Sequence, residues 1–159
     1  MLNGVIIIYF KKGDIMRLRE RVKTFDLTVA DVSNLIKFQR EIQSAFDMNT
    51  TQSKLSNAIS AITGLYGIIG TFYSLPYSYA SGIAALVIDT ANQMYQDSTS
   101  SGSTLCRYGY YGLTDLHYEM TSRGWRQVRV QFGMLEFLDQ GWQMVTSEDY
   151  TLISVDGQH

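Results

Sequence analysis

Residues 55–88 read LSNAISAITGLYGIIGTFYSLPYSYASGIAALVI, 34 residues without a charge and with one proline, Pro76. Apolar side chains at Leu55, Ala58, Ile59, Ile62, Leu65, Tyr66, Ile69, Phe72 and Tyr73 recur at the three- and four-residue steps of a helix, so the spacing predicts a helix over 55–74. Ser56, Ser60 and Gly64 fall four residues apart on the rest of its surface, and Gly67 and Gly70 join them. Small residues so placed let a neighbouring backbone approach closely. Each glycine costs a helix up to about 1 kcal/mol relative to alanine, so close packing or bending is the expected reason for three of them. Pro76 lacks an N–H and drives Leu75 out of the α region, which ends this helix near Ser74. A second helix is expected over 77–96, apolar through Ala80, Ile83, Ala84, Ala85, Leu86, Val87 and Ile88 and polar from Asp89 onward. Two helices of similar length about one proline form an αα-hairpin.

The hairpin could serve a bilayer or a protein core. A spanning helix needs about 20 mainly apolar residues, and the first arm has that length diluted by Ser, Thr and Asn. Asp89 leaves the second arm an apolar run of about ten, and a charge at a helix centre costs roughly 2.5–3.5 kcal/mol on insertion scales. Permanent spanning is therefore disfavoured. Burial in a core and conditional insertion both stay open, with protonation of Asp89 as the gate for the second. Phe72, Tyr73, Tyr77 and Tyr79 crowd the bend, where tyrosines suit a membrane interface and a soluble core alike.

Outward from the hairpin, 159 residues suit one compact unit. A net charge of -2 and a pI near 5.6 argue against a dedicated nucleic-acid or anionic-membrane binder, since phosphate contacts need a basic surface. The single cysteine, Cys106, cannot close an internal disulfide. Val5–Phe10 is an apolar run that precedes Lys11-Lys12, the reverse of a secretory signal, and is expected to be a short strand or a tail upstream of a start at Met16. No signal peptide is recognised, and localisation stays unassigned, secretion by another route included. Arg17, Arg19, Arg21 and Lys23 are interleaved with acids and read as a solvated face rather than a basic patch. Thr28 with Asp31 forms a capping box for an amphipathic helix over about 28–48, whose apolar residues include Val32, Leu35, Ile36, Ile42, Ala45 and Phe46. That face and the hairpin make a three-helix layer.

Residues 98–104, STSSGST, read as a flexible linker closing a helical part over 1–97. Cys106–Gly112, CRYGYYG, reads as an aromatic loop or edge strand. Leu116, Tyr118 and Met120 alternate with His117, Glu119 and Thr121, and a strand is preferred there to a short helix running from Thr114 to Gly124. Val128, Val130 and Phe132 alternate with Gln127, Arg129 and Gln131 as in an antiparallel strand with one wet face. A bulge at Gly133 explains the change of parity after it. Asp139-Gln140-Gly141 suits a three-residue hairpin loop, Trp142–Val145 returns, Glu148-Asp149 turns, and Thr151–Val155 forms a further strand. The expected fold is α+β: an amphipathic helix and a glycine-rich αα-hairpin beside a C-terminal antiparallel β-meander over 105–159. Asp156-Gly157 is a strong hairpin signal followed by two residues, which suggests a chain that ends early.

Chemistry-bearing motifs are scarce. His117 with Glu119 supplies two ligands where a closed metal site needs about four. Cys106 has no histidine near it in sequence, Glu148-Asp149 reads as a solvated pair, and no phosphate loop or G-x-S-x-G elbow occurs. No catalytic, metal or cofactor residue is assigned, and an enzyme is not expected. The uncharged glycine-rich hairpin, joined to more polar elements, resembles the insertion segments of pore-forming toxins and bacteriocins over about a quarter of the chain. That resemblance implies an exported membrane-active protein with a lipid bilayer as conditional partner and room for oligomerisation. Gly64, Gly67, Gly70, Phe72, Tyr73, Pro76, Tyr77 and Asp89 are then the residues of insertion or packing. The alternative is a soluble α+β interaction module with the hairpin as its core and a protein as its partner.

Overall fold

Two capping groups start the first helix where the sequence puts it. Thr28 Oγ1 accepts from the Asp31 N–H and the Asp31 carboxylate accepts from the Thr28 N–H, so α1 runs from Val29 to Phe46. The computed structural model describes residues 5–9, 15–62, 64, 66–75, 79–95 and 101–158. In chain order the elements are β1 (Val5–Tyr9), β2 (Ile15–Thr28), α1, α2 (Gln52–Ser60), α3 (Tyr66–Phe72), α4 (Ala80–Tyr95), α5 (Ser101–Arg123), β3 (Gln127–Phe137) and β4 (Trp142–Val155). The fold is α+β, an antiparallel sheet in the order β1-β2-β3-β4 with helices packed on it.

The sheet differs from the expected C-terminal meander because half its strands come from the N-terminal part. Val5–Tyr9 is a strand, paired with Ile15–Arg19, and β2 pairs with β3 in one unbroken register from Leu18↔Phe137 to Thr28↔Gln127. Paired residues share a face. Phe25 and Leu27 are buried with Val130 and Val128 on one face, whereas Leu18 is buried with Phe137 on the other. Helices cover both. Phe72 of α3 meets Phe25 and Phe132 on the first face, at ring centroid distances of 4.1 and 6.3 Å, and Phe46 of α1 stacks on Phe137 on the second. Every residue from Phe132 to Phe137 is therefore buried, and alternation stops without any break in β3 itself. The larger of two register shifts lies opposite Gly133, with the extra residues in β4: Phe132 pairs with Tyr150 and Met134 with Val145. Trp142–Val145 and Thr151–Val155 are thus two parts of one strand, and Glu148-Asp149 lies in its bulge rather than in a turn.

The first hairpin arm is not one helix. Gly64 takes a φ of +78°, a left-handed conformation that suits glycine, and it separates α2 from α3. α3 ends at Phe72, and α4 packs against α2 and α1. Pro76 and Tyr77 lie outside the described residues.

The largest correction concerns 101–123. The residues read as linker end, aromatic loop and strand form one helix, α5. The reason is tertiary. A Cβ on Gly102 would stand 2.6 Å from the Phe46 ring; one on Gly109 would stand 2.5 Å from the Val145 carbonyl carbon; one on Gly112 would stand 2.9 Å from the Glu148 carbonyl oxygen. These glycines bring α5 against α1 and β4 more closely than any side chain allows. Leu105, Cys106, Leu113, Leu116 and Met120 complete the inward face, and Tyr108, Tyr111 and Tyr118 are exposed.

Candidate functional site

The residues singled out in the hairpin separate into two groups. Phe72 and Tyr73 are buried in the core, together with Leu55, Ile59, Ile69, Ile83 and Val87. Gly64, Gly67 and Gly70 are exposed, and a Cβ on Gly67 or Gly70 would meet nothing within 4 Å, so these two glycines approach no neighbouring backbone among the described residues. Asp89 is exposed on α4 and accepts a hydrogen bond from Gln93 Nε2 at 3.2 Å. Among the described residues of this set, buried Phe72 and Tyr73 are thus separated in environment from exposed Gly64, Gly67, Gly70 and Asp89.

Tyr73 joins a buried polar hub instead. Its hydroxyl donates to Leu35 O at 3.2 Å and to Gln39 Oε1 at 3.1 Å. Gln39, fully buried, donates from Nε2 to Val145 O at 2.8 Å and to Cys106 O at 3.0 Å. One amide thus links α1, the end of α3, α5 and β4, and its own buried polar atoms are all partnered. Burial pushes the Tyr73 phenol and the Cys106 thiol well above their ordinary values, so Cys106 sits in the same hub as a neutral, inert thiol.

A second polar cluster crosses the sheet at Glu136, which is 8% exposed. Arg19 places Nε and Nη2 at 2.8 and 2.6 Å from Oε2, and Lys23 and Arg21 reach Oε1 at 3.2 and 3.6 Å. Burial alone would raise this carboxyl, but the hydrogen bonds and charges of Arg19 and Lys23 outweigh it and hold the group below its usual value. The residues read as a solvated basic face are therefore partly committed to one carboxylate, and Arg17 to another, Asp139, at 2.7 Å. Beside Glu136, a cavity of about 200 Å³ includes Ser74, Trp142 and Gln143 in its lining. Gln143 Nε2 donates to Phe72 O at 2.6 Å and to Ser74 Oγ at 3.0 Å, which fixes the amide orientation and leaves Oε1 without a partner.

The exposed side of α5 makes the third feature. The bulge in β4 carries Ser147, Glu148 and Asp149 outward, and Ser147 Oγ anchors it by accepting from the Gly133 N–H at 2.9 Å. Because Gly112 has no side chain, the Ser147 and Glu148 carbonyls lie against α5. A groove of about 580 Å³ results, lined by Tyr111, Thr114, Asp115, Tyr118, Glu148 and Asp149. Tyr150 donates its hydroxyl to Asp115 Oδ2 at 3.0 Å, and burial followed by that carboxylate raises its phenol well above the ordinary value. The chain matches no protein-family model, no curated protein and no solved structure. Among the described residues no group of three or more His, Cys, Asp or Glu is arranged to hold a metal ion, the groove carboxylates included. Sequence reading missed the groove because Glu148-Asp149 read as a turn and Tyr111 and Tyr118 were divided between a loop and a strand. The available signal was the helical spacing of Tyr111, Asp115 and Tyr118.

Proposed function

We propose that the chain is a protein-interaction module whose uncharged hairpin serves as its own core. The observation that supports this reading is where the large apolar groups lie: Leu55, Ile59, Ile69, Phe72, Tyr73, Ile83 and Val87 are at most 2% exposed, whereas Tyr108, Tyr111 and Tyr118 on α5 are 43–66% exposed. Withdrawing a buried side chain of that size costs roughly 1.5–3 kcal/mol, and releasing the hairpin would also break the Tyr73–Gln39 hub. No helix among the described residues is long and apolar enough to cross a membrane. Tyrosine is enriched in the anchor positions of interfaces, which makes the outer face of α5 the surface of choice for a partner.

The second reading is a membrane-active protein of bacteriocin type that inserts conditionally. It draws on the exposed, uncharged residues Gly64, Gly67 and Gly70, with Asp89 as the gate. Dye release from anionic lipid vesicles at neutral and mildly acid pH separates the two. The interaction module leaves vesicles intact in the wild type and in Asp89→Asn. Leakage that rises with acid and rises further in Asp89→Asn would refute it in favour of insertion.

A further inference from the structure

The groove between α5 and the β4 bulge has a charge that the whole chain does not share. Asp115, Glu148 and Asp149 bring three negative charges to its lining, which contains no lysine or arginine. The chain as a whole carries a formal net charge of only -2. Arg123, further along α5, is held by Glu119 and lies over the Trp125 ring at 5.5 Å. Glu148 and Asp149 are exposed and have no side-chain partner among the described residues, while Asp115 is bound by Tyr150. Beside Thr114, the other lining groups are aromatic: Tyr118 is 66% exposed and Tyr111 47%. Carboxylates beside accessible aromatic faces complement an organic cation, and arginine best of all, since a guanidinium both forks onto a carboxylate and stacks on a ring. The acids are not grouped for a metal, and the groove's volume lies in the ordinary range for a ligand pocket.

We propose that this groove binds arginine side chains of a basic segment in a partner protein, with a guanidinium paired to Glu148 or Asp149 and stacked on Tyr118, the more exposed of the two rings. The proposal rests on the interaction-module reading and names the chemistry of its partner. Gly112 and the β4 bulge are the devices that hold the two carboxylates beside the tyrosines.

The test is isothermal titration of the full chain with a blocked tetra-arginine peptide, with blocked tetralysine as the probe of equal charge. Saturable binding is expected for tetra-arginine, tighter than for tetralysine. Tyr118→Leu should weaken it by about fivefold, as loss of a cation–π contact does. The double variant Glu148→Gln, Asp149→Asn should abolish the preference for arginine, while Tyr108→Leu, an exposed tyrosine outside the lining, leaves binding unchanged. All these positions are exposed, and unfolding midpoints check that each variant folds. No saturable binding, equal binding of the two peptides, or affinity indifferent to Tyr118→Leu would overturn the proposal. If vesicles also stay intact, the interaction-module reading survives that failure; vesicle leakage overturns the module reading whatever the peptides do.

Discussion

Gly109→Ala should be among the most damaging single-methyl additions in the chain. The new Cβ would stand 2.5 Å from the Val145 carbonyl carbon and 2.7 Å from Gln39 Nε2, where ordinary contact begins at 3.4 Å. Helix α5 or strand β4 must therefore move by more than 0.9 Å, the difference between 3.4 and 2.5 Å, because the Val145 carbonyl oxygen lies closer still. Neither can yield like a flexible side-chain tip. Overpacking of this kind costs about 1–3 kcal/mol. The movement also pulls apart the Gln39 hydrogen bonds to Val145 O and Cys106 O, and each buried group left without a partner costs about 1–3 kcal/mol more. Alanine returns up to about 1 kcal/mol in helix propensity. The net expectation is a loss of about 2–5 kcal/mol, a large share of the total stability of a typical domain. Gly70→Ala supplies the control of opposite sign. It sits on exposed α3 with nothing within 4 Å of its Cβ and should gain roughly 0.5–1 kcal/mol. Urea unfolding followed by tryptophan fluorescence reads both, with the slope checked for constancy. A Gly109→Ala midpoint at or above wild type, or a clear loss in Gly70→Ala, would refute the packing assigned to these two helices.

Three further outcomes follow from other sites. Gln39→Leu removes the donor to Val145 O and Cys106 O and an acceptor for Tyr73, so urea midpoints should register a loss of about 2–4 kcal/mol. Met48 holds a φ of +59° just after α1, where its N–H bonds Ala45 O and the Asn49 N–H bonds Ser44 O; it is 45% exposed, so Met48→Gly should stabilise the protein by about 1 kcal/mol, and a lower melting temperature would contradict this. Glu136 titrates below its ordinary value in the folded chain, so its contribution is present above the unfolded value of 4.5 and is lost as pH falls through the folded one. Glu136→Gln should accordingly be less stable than wild type at neutral pH and approach it as the pH falls through the folded-state value below 4.5; a gap that stays constant on acidification would sink the assignment.

Local chemistry was legible at several positions where one residue decides a backbone geometry. Thr28 and Asp31 started α1 as read, Gly141 took a positive φ in the β3–β4 connection, and Asp156-Gly157 formed a tight turn with positive φ at both residues. The strand at Gln127–Phe132 was readable from its alternation for the same reason. Strand β2 was not, because its buried parity changes. Met16 and Leu18 face the core at one end, Phe25 and Leu27 at the other, and between them Val22 and Glu20 on one parity and Arg21 on the other are exposed. A core that moves from one face of a twisted sheet to the other leaves no single period in the strand. Gly64 was read for close packing, and only the completed fold shows it as a left-handed break.

Helix α5 carries the more general point about glycine. Gly102, Gly109 and Gly112 weaken the helix by propensity, and with Ser and Tyr around them they imitate a loop. Yet positions 102, 109 and 112 fall on one side of a 3.6-residue period, together with Leu105, Cys106, Leu113, Leu116 and Met120. The glycines of α3 have helical spacing too, but they face outward. Spacing thus identifies a common face without identifying what lies against it. What separates the two sets is the partner: α5 meets a strand whose carbonyls must come within contact of its axis, and a bulge whose acids must sit beside its tyrosines. Alanine could hold α5 as a helix, but not at that distance from β4. The same absence of a side chain at Gly112 that lets the helix dock also places Glu148 and Asp149 against Tyr111 and Tyr118, so the packing of the fold and the shape of its candidate binding groove have one cause.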